Sequence, residues 1–152
     1  MASLSIITLL KHDHKEFNDL LQRAQMTDEH TMRAALSARI NEALTLHTSF
    51  LEEMIYPVLE QQEETNDDAL AAIEEHLQIK TLLRDLAGMD TEGDAWKAKI
   101  TVLAEVIKHH VKEEESDGGL FDELADILDH DDLLFLAEEY TALKEEADAS
   151  SR

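Results

Sequence analysis

Residues 96–115 read Trp96-Lys97-Ala98-Lys99-Ile100-Thr101-Val102-Leu103-Ala104-Glu105-Val106-Ile107-Lys108-His109-His110-Val111-Lys112-Glu113-Glu114-Glu115. Trp96, Ile100, Leu103 and Ile107 recur at alternating steps of four and three, which puts them on one face of an α-helix. The same steps continue to His110 and Glu114, so the stripe turns polar without changing phase. A histidine and a carboxylate one helical turn apart point the same way, about 6 Å apart along the axis. An ionised carboxylate on a buried stripe is costly unless a cation or hydrogen bonds compensate it. The His110–Glu114 pair therefore reads as half of a site for a borderline divalent metal.

Three earlier stretches show the same interruption. Ile7, Leu10, His14, Phe17, Leu21 and Ala24 define an inner face over about residues 4–25. Leu36, Ile40, Leu44, His47, Leu51, Met54 and Val58 define a second, which Asp28 can cap and in which Pro57 predicts a kink. Ile73, His76, Leu77 and Leu83 mark a third helix, capped by Asn66 or Asp67 and stopped by Gly88; Thr91 opens the fourth. Short connections between helices of similar length predict an all-α, up-down-up-down antiparallel four-helix bundle.

The fourth helix breaks at Ser116-Asp117-Gly118-Gly119. Beyond it, Leu120 to about Leu128 and Asp131 to about Ala147 form two further amphipathic stretches, before an end expected to fray over residues 149–152. The reading is thus a bundle over residues 1–116 and a helical extension over 117–152. The extension packs on the bundle or on a second copy of the chain as a homodimer.

Composition agrees with long helices and limits the roles. The chain has 152 residues, four glycines, one proline and 43% hydrophobic residues, enough to bury a core. Its formal net charge of −22 repels phosphate backbones and anionic lipid surfaces, so neither nucleic acid nor membrane is expected as a partner. The absence of cysteine excludes disulfides, thiolate metal sites and thiol nucleophiles. No leader or membrane-spanning run is read at the start, Met1 to Leu10, or later; the expected location is the cytoplasm.

Each lone inner histidine reads most simply as a hydrogen-bonded core residue. Four of them, His14, His47, His76 and His110, one per helix, are another matter. Imidazoles converging in a dry interior leave ring nitrogens without partners, and a metal uses those lone pairs. A nitrogen and oxygen donor set without thiolate suits non-haem iron or manganese, with zinc possible. His12 and His109 should point sideways or outward, His30 and His130 should be solvated, and Glu113 and Glu115 should lie on solvated faces.

The segments Leu10-Lys11-His12-Asp13-His14, His47 with Glu52-Glu53 and Tyr56-Pro57, Glu75-His76, and His109-His110-Val111-Lys112-Glu113-Glu114-Glu115 with Phe121 resemble hemerythrin-like (HHE cation-binding) domains. The resemblance covers about residues 4–121. It implies a non-haem di-iron site with His14, His47, His76, His110 and Glu114 as ligands. Two positions depart from the family pattern. Leu51 stands four residues after His47, where a bridging carboxylate is usual, and Lys80 stands one turn after His76. Glu52 supplies the missing carboxylate if the helix carries a one-residue π-bulge; without one, its side chain turns about 100° away from the core.

Such a site, walled by Ile7, Leu10, Phe17, Leu51, Ile100 and Ile107, would exclude water and admit small molecules. The leading expectation is an iron protein, with two irons or one, that binds O2, NO or peroxide in sensing or oxidative-stress handling. The alternatives are a peroxide-decomposing (catalase-like) or iron-oxidising (ferroxidase) enzyme at the same site, and a metal-free interaction scaffold.

Overall fold

A computed structural model of the chain describes residues 5–150. The elements run α1 (Ile6–Met26), α2 (His30–Phe50), a π-helical segment (Leu51–Ile55), α3 (Tyr56–Glu60), α4 (Asn66–Ala87), α5 (Asp94–Glu115), α6 (Leu120–Ile127) and α7 (His130–Ser150). α2, the π segment and α3 succeed one another without a break and act as the second rod of an antiparallel four-helix bundle. In it α1 packs on α2 and α5, and α4 packs on the same two. The expected start at residue 4 and the end at 151–152 lie outside the described residues; Ala149 and Ser150 belong to α7.

The inner stripes are mostly those read from the periodicity, with local shifts. In α1 the fully buried residue near the start is Ile6, four before Leu10, and Ile7 is only half-buried against the core. In α4 Leu77 is exposed, while Ala69, Ala72, Ile79 and Leu86 turn inward beside His76 and Leu83. The caps differ too. Ser5 caps α1 by accepting from the Thr8 N–H. Asp28 pairs with Arg33 instead of capping α2. Thr65 precedes α4 and Gly93 precedes α5, with Thr91 two residues further back.

The largest shift comes after Leu51. Pro57 has no N–H to donate to the Glu53 carbonyl, and its ring would crowd that carbonyl in a regular α-helix. The chain widens by one residue, and the Tyr56 N–H bonds the Leu51 carbonyl five residues back. Every side chain after the bulge is displaced by one position. Ile55, Tyr56 and Leu59 are therefore buried where Met54 and Val58 were expected.

α6 and α7 pack on the bundle of their own chain. Leu120, Phe121, Leu124, Leu136, Ala137 and Tyr140 join one core cluster with Ile6, Leu10, Phe50, Leu51 and Leu59. The sharp turn leading into α6 needs glycine twice. Gly118 has φ +74°, and a Cβ on Gly119 would collide with the Glu113 carbonyl and approach the Ser116 carbonyl at 2.8 Å. This reversal brings Phe121 back against the bundle. A second cluster, around Trp96 with Phe17, Leu21, Ile40, Leu83, Ile100 and Ile107, fills the other end. Buried Arg33 lies over the Trp96 ring at 5.1 Å and donates to the carbonyls of Thr27 and Thr91, tying two loops together. No helix among the described residues is long and apolar enough to cross a membrane.

Candidate metal centre

Between the two core clusters lie His14, His47, His76, His110 and Glu114, all no more than 5% exposed. Their donor atoms form two groups that share Glu114. His14, His47 and Glu114 make the first, His76, His110 and Glu114 the second, each with donor atoms within 4.8 Å of one another. Glu114 Oε2 lies 2.9 Å from His14 Nε2, and Glu114 Oε1 lies 2.6 Å from His110 Nε2. One carboxylate thus presents one oxygen to each half, the disposition of a bridging ligand.

The two halves differ in how their donors are satisfied. In the first, His14 Nε2, His47 Nε2 and Glu114 Oε2 are all buried without a hydrogen-bond partner. His14 Nε2 and Glu114 Oε2 are 2.9 Å apart, and both lie within 4.8 Å of a His47 ring nitrogen. Orphaned buried donors and acceptors are costly, and three this close together fit a cation. In the second half the atoms also contact one another. His76 Nε2 lies 3.1 Å from His110 Nε2 and 2.9 Å from the Tyr56 hydroxyl, which also reaches Glu114 Oε1 at 3.5 Å.

Behind each histidine stands a carboxylate. His14 Nδ1 meets Glu115 at 2.5 Å, His47 Nδ1 meets Asp13 at 2.8 Å, and His110 Nδ1 meets Glu75 at 2.9 Å. His76 Nδ1 lies 3.4 Å from Glu52 Oε1 without forming a hydrogen bond to it. A carboxylate on Nδ1 fixes the ring and its tautomer and leaves Nε2 as the donor to a metal. Asp13 is itself held by the Tyr140 hydroxyl and the Lys144 ammonium from α7. Rings complete the packing: Phe121 stacks on His14 at 5.5 Å and Phe17 meets His47 edge-on at 5.0 Å.

Protonation reflects this arrangement. Burial alone would raise Glu114, but His110 and His14 outweigh it and hold the carboxyl well below the usual range. Burial disfavours charge on His110 too, yet Glu114 and Glu75 raise it to about 10. His76 is pushed down to about 3 by burial and by the charge on His110. The cluster thus concentrates one buried carboxylate charge among rings of opposite tendency, an arrangement that a bound cation would reset.

The sequence-predicted residues divide accordingly. The four inner histidines and Glu114 are brought together. Glu52 is not among the converging donors: despite the π-bulge, its carboxylate bonds Lys80 Nζ at 2.6 and 2.8 Å, behind His76. The bulge turns Tyr56 inward instead, because the extra residue rotates the side chains beyond the insertion and not those that open it. Of the wall residues, Leu10, Phe17, Leu51 and Ile107 are buried, while Ile7 is half-buried on the flank. His12 and His109 point outward as expected. Sequence reasoning missed Tyr56, Asp13, Glu75 and Glu115 as working parts. The signal for three of them was present: each neighbours an inner histidine or Glu114 in sequence, within Asp13-His14, Glu75-His76 and Glu114-Glu115.

Residues 5–117 match the family model described as Hemerythrin HHE cation binding domain. A DNA nickase of Nostoc sp. is 24% identical over 113 residues; the match takes in 74% of this chain and 32% of the nickase. The chain therefore spans about a third of that relative's length. The crystal structure of a hemerythrin HHE cation binding domain-containing protein from Mycobacterium kansasii has the same fold, with a TM-score of 0.80 at 20% identity, covering 97% of this chain and 89% of that one.

Proposed function

The chain belongs to the hemerythrin HHE cation-binding domain family, and on that premise we propose that it is a non-haem di-iron protein that binds O2, NO or peroxide. The observation that carries this reading is the clustering of three orphaned buried atoms, His14 Nε2, His47 Nε2 and Glu114 Oε2, beside a second set of donors that shares Glu114. His14, His47 and Glu114 would hold one iron; His76, His110 and Glu114 would hold the other, with the Tyr56 hydroxyl as a further donor. An oxygen and nitrogen set without sulfur favours iron or manganese over a closed zinc site.

Bound iron would supply electrons and Lewis acidity toward a small oxidant. The protein's part is to position and to exclude. Asp13, Glu75 and Glu115 orient the imidazoles; Phe17, Leu51, Phe121 and Ile107 keep bulk water from the donors. The absence of cysteine removes a competing redox group and suits a reducing cytoplasm.

Elemental analysis of the purified protein, with the spectrum recorded after anaerobic loading with Fe(II) and admission of air, tests the reading. About two irons per chain and a new near-ultraviolet absorption are expected. A colourless chain that retains no iron overturns it. A second reading, a peroxide-decomposing enzyme, draws on the Tyr56 hydroxyl, which lies beside His76 and has no counterpart beside His14 and His47, so that three-donor half would leave more positions for a substrate. Steady peroxide turnover that His110→Ala abolishes would select it over a binding protein.

A further inference from the structure

The three carboxylates that stand behind the histidines differ in what holds them. Glu75 and Glu115 keep 20% and 33% of their side chains exposed, within reach of water. Asp13 keeps 4% and must find its partners inside the protein. Two of them come from α7. The Tyr140 hydroxyl donates to Asp13 Oδ2, the oxygen that also meets His47 Nδ1 at 2.8 Å, and the Lys144 ammonium donates to Oδ1. Tyr140 and Lys144 lie one turn apart on the same face of α7, 127 and 131 residues along the chain from Asp13. Arg39, the other cation beside the small cavity at this point, is taken up by Glu16 and Glu42. The other half is built without α7: among the described residues, the hydrogen-bond partners of His76 and His110 come from α3, α4 and α5.

We propose that Tyr140 and Lys144 are positioning residues of the centre: through Asp13 they fix the tautomer and aim of His47, so that α7 sets the metal affinity of the His14–His47 half alone. The inference rests on the metal-centre reading and adds to it a helix outside residues 5–117, the segment that matches the family model. The ammonium and the hydroxyl occupy Asp13 as donors, which leaves Asp13 an acceptor toward His47. The ring proton is then held on Nδ1. The lone pair of Nε2 is turned to the buried space it shares with His14 Nε2 and Glu114 Oε2. The Tyr140 ring is itself fixed, 1% exposed and packed on Phe50 at 4.6 Å. Lys144 Nζ lies 4.7 Å over that ring, which holds its charge at Asp13. Bound metal and docked α7 therefore favour each other, each tightening the other by the same factor.

The test has a metal-free arm and a loaded arm. In the metal-free, isotope-labelled chain, ring-nitrogen NMR spectra should show His47 protonated at Nδ1; a proton on Nε2 overturns the inference. Titration with Co(II), followed by visible absorption, then resolves the metal equivalents. Tyr140→Phe keeps the ring and its packing, and Lys144→Met removes the charge from a partly exposed position. Each should weaken one equivalent by about 10–100-fold and leave the other at its wild-type affinity. Lys144→Arg restores a cation and should recover most of the loss, which a side chain that only fills space would not do. Tyr56→Phe acts on the other half, so combined with Tyr140→Phe it should weaken both equivalents. Equal loss from both equivalents, or no loss from either, in Tyr140→Phe and Lys144→Met overturns the inference. So does a double variant in which both losses fall on a single equivalent. A wild-type chain that shows the Nδ1 proton on His47 and binds no Co(II) overturns the metal reading and leaves the positioning of His47 standing.

Discussion

Glu114 is 1% exposed and reaches His14 with one oxygen and His110 with the other. Its place cannot be filled by an amide with equal effect, because a neutral group offers one acceptor oxygen and no charge. Glu114→Gln should lower iron content from about two to one or fewer per chain, read by elemental analysis with helicity retained by circular dichroism. Glu52 makes the opposite case. Its carboxylate serves Lys80 rather than the converging donors, so Glu52→Gln should change metal affinity by less than about threefold, below the 10–100-fold typical of orienting partners. Loss of a full equivalent of metal in that variant would mean that Glu52 swings inward on loading.

At the scale of the element, Pro57 and the π segment set which side chain the second rod offers the centre. Pro57→Ala restores an N–H able to bond the Glu53 carbonyl and removes the reason for the wide turn. The helix is then free to return to α register, which carries Tyr56 off its contact with His76. Tyr56→Phe removes the hydroxyl without the register change. Both variants should weaken one of two metal equivalents by about 10–100-fold while leaving the other intact, in a Co(II) titration followed by visible absorption. Equal weakening of both equivalents would assign Tyr56 to packing alone.

For the whole molecule, metal and fold are linked through mass action. A ligand present at 100 times its Kd stabilises the folded state by about 2.7 kcal/mol, which for a chain of this size raises Tm by roughly 5–11 °C. Iron or Co(II) should produce such a rise and a chelator should reverse it; no change in Tm would show that the donors are not assembled. A second dependence comes from α6. Burial and the neighbouring Asp68 carboxylate raise Glu123 from 4.5 to about 7. The folded state holds this proton more tightly than the unfolded one, so the contribution is present below pH 4.5 and is lost as pH rises through about 7. Glu123→Gln should be more stable than the wild type at pH 8 and equal to it at pH 4, by urea unfolding.

The four inner stripes were legible in the chain because burial repeats every 3.6 residues and a polar interruption in phase stands out. His14, His47, His76, His110 and Glu114 were found by that phase, and the bundle came from the lengths of the stripes and their links. Periodicity assumes a constant rise and twist, and so it failed at the π segment, where one inserted residue exchanged Met54 and Val58 for Ile55, Tyr56 and Leu59. Glu52, Tyr56 and Lys80 could be sorted only by knowing where that insertion begins. The carboxylates behind the histidines were likewise left to the tertiary structure, since Glu75 acts on His110 of another helix and Asp13 on His47. So was the hold of Tyr140 and Lys144 on Asp13, across more than a hundred residues of chain. Local sequence records which face a residue occupies; which partner it meets there depends on the packing of distant elements.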